Sequence, residues 1–310
     1  MPVPKISPSP VMMSGVVKRR GAVLAVDALD LTLRAGEVTA LLGPNGAGKS
    51  TTVALLTGRL APDAGRVSVF GGDPREAANR ARLGVMLQEA GMPRGLTLAE
   101  QVDLFRGYFA DPRPLAEVIA LAGLDGLERR RCSALSGGQQ RRLQFALAVC
   151  GRPDLLILDE PTTGMDIDAR RELWTAVGSE AARGAAVLLT THHLGEAEAL
   201  ADRIVVIDRG RVIADGPPAS LKAAAAPSVI RCVTTLSDAA LAALTGVFQV
   251  SRDGARAVLM TREGKTTVRE LLAGDPNLED LTLAGASLED AFTRLLADSA
   301  GTQQALENAA

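Results

Sequence analysis

The chain of 310 residues is long enough for one large and one small domain, and 47% hydrophobic against 23% charged residues is typical of a globular protein. The longest stretch without a charged residue has thirteen residues, which excludes a membrane-spanning helix of about 20 apolar residues. The net charge of −2 and the lack of long basic runs speak against nucleic-acid binding. Aromatic residues make up 3%, and all eight lie beyond residue 69.

The amino-terminal segment is predicted to be a flexible tail over residues 1–14, because four of the first twelve residues are proline. Proline and serine also stand where a secretory signal peptide would need an apolar core. The sequence therefore predicts a cytosolic chain that acts at a membrane only through a partner.

The first clear motif joins a predicted buried strand, Val38–Leu42, to a predicted helix over residues 49–60. The residues between them fit the pattern G-x-x-x-x-G-K-S. Backbone N–H groups of such a turn, together with the helix N-terminus, form a cradle for phosphate groups. The residues predicted to bind the phosphates are Gly43, Pro44, Asn45, Gly46, Ala47, Gly48, Lys49, Ser50 and Thr51.

Four residues of this loop have specific predicted tasks. Lys49 is expected to reach the β- and γ-phosphates, and the Ser50 hydroxyl is expected to ligate Mg²⁺. Gly46 and Gly48 are expected to allow a close backbone approach that a Cβ atom would obstruct.

A carboxylate pair follows a second predicted buried strand, Leu155–Leu158. This strand and Ala186–Leu189 each follow a helical pattern, and residues 96–149 are mainly helical in pattern, so the fold class predicted is α/β with parallel strands. Asp159 and Glu160 would then lie at the carboxyl edge of the sheet, where ligands bind in such folds. We expect Asp159 to hold Mg²⁺ and Glu160 to polarise the water that attacks the γ-phosphate.

A domain boundary is predicted at residues 217–227, where prolines and a run of alanines interrupt the pattern. Beyond it, over residues 228–310, the predicted order of elements is βαββαβ with one helix appended at residues 288–297. That order predicts a small α+β, ferredoxin-like carboxy-terminal domain. Its role is open at this stage between regulation, dimerisation and binding.

Three further segments complete a recognisable pattern. Gln88 follows an apolar stretch, Leu135–Gln139 precedes a predicted helix near Gln140, and His192 follows the strand Ala186–Leu189. With the phosphate loop and the carboxylate pair, these segments resemble the nucleotide-binding subunit of an ATP-binding cassette (ABC) transporter. The resemblance covers residues 15–222 and implies a P-loop NTPase ABC ATPase core with a helical subdomain, binding ATP and Mg²⁺. The Leu-Ser-Gly-Gly-Gln segment is the discriminating one.

The resemblance implies that each ATP lies between two subunits. Locally, Ser136 is expected to cap the following helix, and the exposed N–H groups after it form a second phosphate cradle. ATP would lie between Lys49 of one subunit and this cradle of the other, with Asp166 in a loop that crosses the interface. Both half-sites are present in this chain, so a homodimer is the simpler prediction. The second cradle comprises Ser136, Gly137, Gly138 and Gln139.

The resemblance also implies catalytic roles for Glu160, His192 and Gln88. His192 would contact the γ-phosphate and support the attacking water, whereas Gln88 would reach Mg²⁺ and sense the membrane partner. Mg²⁺ would be held by Ser50, Gln88 and Asp159. The implied partner is an integral-membrane permease, which would place the chain at the cytoplasmic face of the membrane as a peripheral subunit.

The segment Ser287–Arg294 resembles the carboxy-terminal signature of exporters of the drug-resistance and ABC-2 type. The spacing of its apolar residues is that of an amphipathic docking helix. The predicted function is therefore an ATPase subunit that powers export through a separate permease.

One position departs from the family pattern. The family stacks adenine on an aromatic residue before the phosphate loop, but Arg20 holds that place here. The Arg20 guanidinium plane can stack on a base, or Val23 and Val26 can provide an apolar shelf. Equally, Arg20 can be merely solvated, with the adenine bound weakly.

Two other classes of cassette ATPase are alternatives to a transporter subunit. Ribosome-acting ATPases carry two cassettes in one chain, whereas this sequence has one phosphate loop. DNA-repair ATPases place a long coiled coil between the two halves, whereas Lys49 and Asp159 are only 110 positions apart. A neighbouring reading frame with about six membrane spans would separate the transporter from both.

Overall fold

The computed structural model describes residues 9–307 except 89, 90, 92, 94, 226 and 286, and it leaves the side chains of residues 223–225 and 300–307 undescribed. Internal contacts divide the chain into two compact units, Met1–Asp215 and Gly216–Ala310. The observed boundary thus lies a few residues before the domain boundary predicted at 217–227.

The strands as far as this boundary are β1 (Val11–Arg20), β2 (Val23–Leu33), β3 (Val38–Leu42), β4 (Ala64–Val69), β5 (Leu83–Met86), β6 (Leu155–Asp159), β7 (Ala186–Thr190), β8 (Arg203–Asp208) and β9 (Arg211–Gly216). The helices are α1 (Lys49–Leu56), α2 (Ala77–Arg80), α3 (Leu98–Arg106), α4 (Leu115–Leu121), α5 (Gly137–Val149), α6 (Ile167–Ala182) and α7 (Leu194–Leu200).

A six-stranded sheet with the order β5-β6-β7-β3-β8-β9 forms the centre of the first unit. The pairs β5–β6, β6–β7, β7–β3 and β3–β8 are parallel, as the sequence predicts. Every residue of β3, β6 and β7 is buried, which is typical of parallel strands covered on both faces. Because parallel strands end at one edge, the segments after β3, β6 and β7 come together there.

The tail predicted over residues 1–14 is wrong in its second half. Val11 begins β1, which pairs with β2 and β4 in a separate antiparallel sheet. Val11, Met13 and Val16 are buried, so apolar residues with strand spacing overcome the local proline content. Residues 1–8 lie outside the described part of the chain.

Helix α1 ends at Leu56, four residues before the predicted end. Gly58 has a φ of +70°, the left-handed conformation with which helices commonly terminate. A Cβ on Gly58 would lie 2.8 Å from the carbonyl oxygen of Pro74, so a side chain would not fit this turn.

Helices α3, α4 and α5 form the predicted helical region and share a hydrophobic core with α6. A buried ion pair also crosses this region, because Arg113 Nη2 donates to both carboxylate oxygens of Glu180 at 2.7 and 2.5 Å. The Nε of Arg113 donates to the carbonyl of Val149 at 2.9 Å. Arg113 therefore ties the loop before α4 to both α5 and α6.

The second unit contains α8 (Pro218–Ala225), β10 (Ser228–Val233), α9 (Asp238–Ala242), β11 (Val247–Asp253), β12 (Arg256–Thr261), α10 (Gly264–Gly274), β13 (Glu279–Ala284) and α11 (Leu288–Glu307). Its sheet has the order β11-β12-β10-β13, and all three neighbouring pairs are antiparallel. From β10 to β13 the order of elements is βαββαβ, the ferredoxin-like order. The core is formed by Ile230, Cys232, Leu241, Ala257, Leu259 and Leu271.

The segment predicted as an interruption at 217–227 is largely the helix α8, which contacts α11. Its run of alanines favours a helix, and this propensity outweighs the flanking prolines. Helix α11 continues ten residues beyond its predicted end. Within the part of the chain that the structure describes, no helix is both long and apolar enough to cross a bilayer.

Candidate active site

The phosphate loop directly follows β3 and enters α1. A Cβ on Gly43 would lie 2.3 Å from the carbonyl oxygen of Ile207, and one on Gly48 would lie 2.4 Å from that of Ala25. Gly48 also has a φ of +109°. At these two positions the protein itself excludes a side chain.

Gly46 is constrained in a different way from Gly43 and Gly48. A Cβ there would meet no atom within 4 Å, so space within the chain does not require glycine. Its φ of +81° does, because L-residues with a side chain are strained in that conformation. The loop is therefore shaped by backbone conformation at Gly46 and by close packing at Gly43 and Gly48.

Lys49 is a nearly buried cation inside the loop, with 9% of the residue exposed. Its Nζ donates to the carbonyl oxygens of Gly43 at 2.5 Å and Pro44 at 3.0 Å. Burial lowers the pKa of Lys49, while the charges of Glu160 and Asp159 oppose that shift. An ammonium group held by loop carbonyls at a helix N-terminus suits an anionic ligand.

The two predicted carboxylates are held at the end of β6. Asp159 is 7% exposed and pairs across the sheet with Thr190, whose hydroxyl donates to Asp159 Oδ1. Glu160 has a φ of +50°, an uncommon conformation for a residue with a side chain. Such strained residues concentrate at functional sites, which supports a functional position for Glu160.

The structure brings the three predicted catalytic side chains together. Gln88 Nε2 donates to Glu160 Oε2 at 3.1 Å, and His192 Nδ1 lies 3.2 Å from Glu160 Oε1. Half of the His192 side chain is exposed, whereas Glu160 is largely covered. His193 is exposed and is the residue just before α7, and the centroid of its ring lies 4.1 Å from that of His192.

A cavity of about 460 Å³ connects the phosphate loop to Gln88 and Glu160. Arg20 and Val23 line it together with residues of the loop. The cavity is lined by Arg20, Val23, Ala25, Asn45, Gly46, Ala47, Gly48, Lys49, Ser50, Thr51, Gln88 and Glu160. Of the described residues 136–139, none lines this cavity.

The second cradle lies at the start of α5, which begins at Gly137 rather than near Gln140. Ser136 Oγ accepts from the Gln139 N–H at 3.3 Å, and Gln139 Oε1 accepts from the Ser136 N–H at 3.0 Å. A Cβ on Gly137 or Gly138 would meet no atom within 4 Å, so the helix start is open. Asp166 caps α6, accepting from the Ala169 N–H at 2.8 Å.

The donor set fits Mg²⁺ bound together with a nucleotide. The exposed Ser50 and the carboxylate of Asp159 supply oxygen donors, the type that Mg²⁺ prefers. In the described ranges, no group of three His, Cys, Asp or Glu residues could hold a metal ion. Mg²⁺ commonly uses only one or two protein carboxylates and takes further ligands from phosphate.

Two residues near the site were not found from the sequence. Thr190 ends an otherwise apolar strand, and that polar end was a usable signal. Arg141 donates to the carbonyl of Leu87 at 3.2 Å. Burial lowers the pKa of Arg141, and the charges of Glu160 and Asp159 partly oppose that shift. The spacing of residues along the predicted helix does not indicate that the Arg141 side chain reaches the segment after β5.

A parallel sheet whose carboxyl edge carries a phosphate loop and a carboxylate pair defines the class of P-loop nucleotide hydrolases. Residues 26–163 match the ABC transporter family. The chain is 39% identical to the daunorubicin/doxorubicin resistance ATP-binding protein DrrA of Streptomyces peucetius, over 95% of both chains. It is 41% identical to the Nod factor export ATP-binding protein I of Burkholderia orbicola, over 70% of this chain and 73% of that protein.

Solved structures agree on the fold. An ATP-binding subunit of an ABC transporter matches with a TM-score of 0.65 and 26% identity, over 69% of this chain and 92% of that one. A nucleotide-free ATP-binding cassette matches with a TM-score of 0.60 and 24% identity, over 68% and 92%. The chain belongs to the ABC transporter family as an ATP-binding subunit, and it is an ATPase. The predicted family and its cassette fold are thereby confirmed.

Proposed function

We propose that this chain hydrolyses ATP to drive export of a substrate through a separate membrane permease. The observation that carries the proposal is the contact of Glu160 with both Gln88 and His192 beside the cavity of the phosphate loop. Glu160 there is the general base that orients and deprotonates the attacking water. His192 supports the same water and the γ-phosphate.

Lys49 and the loop N–H groups bind the phosphates. Ser50, Gln88 and Asp159 would hold Mg²⁺, which would supply positive charge against the developing negative charge of the phosphates. The open helix start at Ser136 supports a composite site, because this second cradle lies outside the cavity of its own chain. Two copies of the chain then close around two ATP molecules, and each copy supplies its phosphate loop to one ATP and its second cradle to the other.

Export as the direction of transport is supported by the relatives. The names of two of them describe drug resistance and Nod factor export. The permease partner and a position at the cytoplasmic face of the membrane belong to the same proposal. The test is purification of the tagged chain from membranes, which is expected to retain a protein with several membrane spans. Recovery with ribosomes or DNA instead would contradict it.

Glu160→Gln tests the catalytic assignment. Removal of the general base is expected to lower ATP turnover by about 10²-fold or more, while ATP affinity stays close to that of the wild type. Turnover is measured by phosphate release and affinity by equilibrium dialysis. Glu289→Gln, which changes an exposed carboxylate of the second unit, is the control and should not alter either value. Wild-type turnover in Glu160→Gln would disprove the assignment.

A further inference from the structure

Thr190 lies on the strand next to the one that ends in Asp159 and leads to Glu160. It is the last residue of β7 and is fully buried. Across the sheet it pairs directly with Asp159, the last residue of β6. It touches both acidic residues of the site.

The hydroxyl of Thr190 uses both its donor and its acceptor capacity on these residues. Thr190 Oγ1 donates to Asp159 Oδ1 and accepts from the backbone N–H of Glu160 at 3.3 Å. The same N–H of Glu160 also donates to the carbonyl oxygen of Thr190 at 3.0 Å. One side chain therefore links the side chain of one acid to the backbone of the next.

The backbone contact matters because Glu160 is in the left-handed conformation, with a φ of +50°. For a residue with a side chain this conformation is strained. The two bonds from the Glu160 N–H to Thr190 fix the turn that directs its side chain to Gln88 and His192. Loss of one of them loosens that turn.

We propose that Thr190 is a positioning residue for hydrolysis. Its hydroxyl engages Oδ1 of Asp159 and so fixes the carboxylate that would hold Mg²⁺, and it holds the backbone of Glu160 in the conformation that places the general base. The proposal rests on the function proposed above. It assigns Thr190 no contact with ATP or water, so its effects pass through Asp159 and Glu160.

The test compares three variants. Thr190→Val removes the hydroxyl and keeps the branched shape, whereas Thr190→Ser keeps the hydroxyl. Thr39→Val is the matched control, because Thr39 is also fully buried and lies on β3, paired to Leu188 of β7. Its hydroxyl donates to Glu37 instead, at 3.0 Å.

For Thr190→Val, kcat is expected to fall at least tenfold with little change in KM. The Mg²⁺ concentration that half-saturates nucleotide binding is expected to rise severalfold, while ATP affinity in excess chelator is unchanged. Thr190→Ser should retain both wild-type values, as should Thr39→Val. Binding is measured by equilibrium dialysis of ATP against a Mg²⁺ series, which does not depend on turnover.

The proposal is overturned if Thr190→Val matches Thr39→Val in kcat and Mg²⁺ dependence, or if Thr190→Ser is as impaired as Thr190→Val. Should Thr190→Val not fold, Thr190→Ala is expected to show the same pattern, and its absence there also overturns the proposal. A failure of the proposed function gives a different result, in which Glu160→Gln still hydrolyses ATP.

Discussion

The buried ion pair between Arg113 and Glu180 provides a quantitative test of how the helical region is held to the core. Arg113 is 2% exposed and Glu180 is 1% exposed. Arg113→Met removes the guanidinium and keeps much of the side-chain length. The Glu180 carboxylate is then left with Arg183, whose Nη1 lies 3.7 Å away and whose side chain is 42% exposed.

Removing one partner of a buried ion pair destabilises a protein by about 3–5 kcal/mol, because the other charge stays buried without compensation. A domain is stable by only about 5–15 kcal/mol. For a unit of this size, each kcal/mol lowers Tm by about 2–4 °C, so the expected fall in Tm is roughly 6–20 °C.

Differential scanning calorimetry of the full chain measures this fall in the transition of the first unit. Arg183→Met is the matched control, since an exposed partner of the same carboxylate contributes about 0–1 kcal/mol. The double variant with Glu180→Leu removes the stranded charge and should regain at least half of the loss. A Tm for Arg113→Met within 2 °C of Arg183→Met would refute the reasoning.

Three other predictions concern the base site, the second unit and the thiols. Arg20→Tyr should tighten ATP binding by roughly fivefold or more in equilibrium dialysis, because base–aromatic stacking contributes about 1–3 kcal/mol. Since every base has a π-face, GTP should compete well with ATP in the wild type and in the variant; an unchanged ATP affinity in Arg20→Tyr would contradict this. A chain ending at Asp215 should bind ATP in equilibrium dialysis with the affinity of the full chain, since residues 20–192 contain every candidate ATP ligand; a tenfold loss would contradict it. Burial raises the pKa of Cys150 to about 11, so its thiol should stay protonated and unreactive toward a disulfide reagent at pH 8 until the protein unfolds. Mass spectrometry of the labelled peptide measures the extent of this reaction, and rapid labelling of the folded chain would contradict the prediction.

Much of the candidate site was predictable, because it follows strands whose residues are all apolar. A run such as Leu155–Leu158 can only be a buried segment, and the polar residues that follow it must lie at the sheet edge. The phosphate loop was predictable for the same reason, since its pattern stands between such a strand and a helix.

What the sequence did not reveal depends on contacts between distant residues. Arg113 and Glu180 are 67 positions apart, and nothing local marks either as a buried partner. At Gly46, glycine is required by a left-handed backbone that the motif pattern alone does not reveal. The segment at 218–225 has both prolines and alanines, and only the folded chain shows that it is the helix α8.

The position of each strand in the sheet determines how freely the residue that follows it can move. Glu160 and His192 follow β6 and β7, which are both paired on two sides, whereas Gln88 follows β5 at the edge of the sheet. An edge strand is hydrogen-bonded on one side only, so it is displaced at lower cost than an interior one. A force on the edge of the sheet would therefore separate Gln88 from Glu160 before it disturbed the contact of Glu160 with His192. The site thus has one releasable contact and one fixed contact, and a mechanical signal from outside the sheet would act on the first.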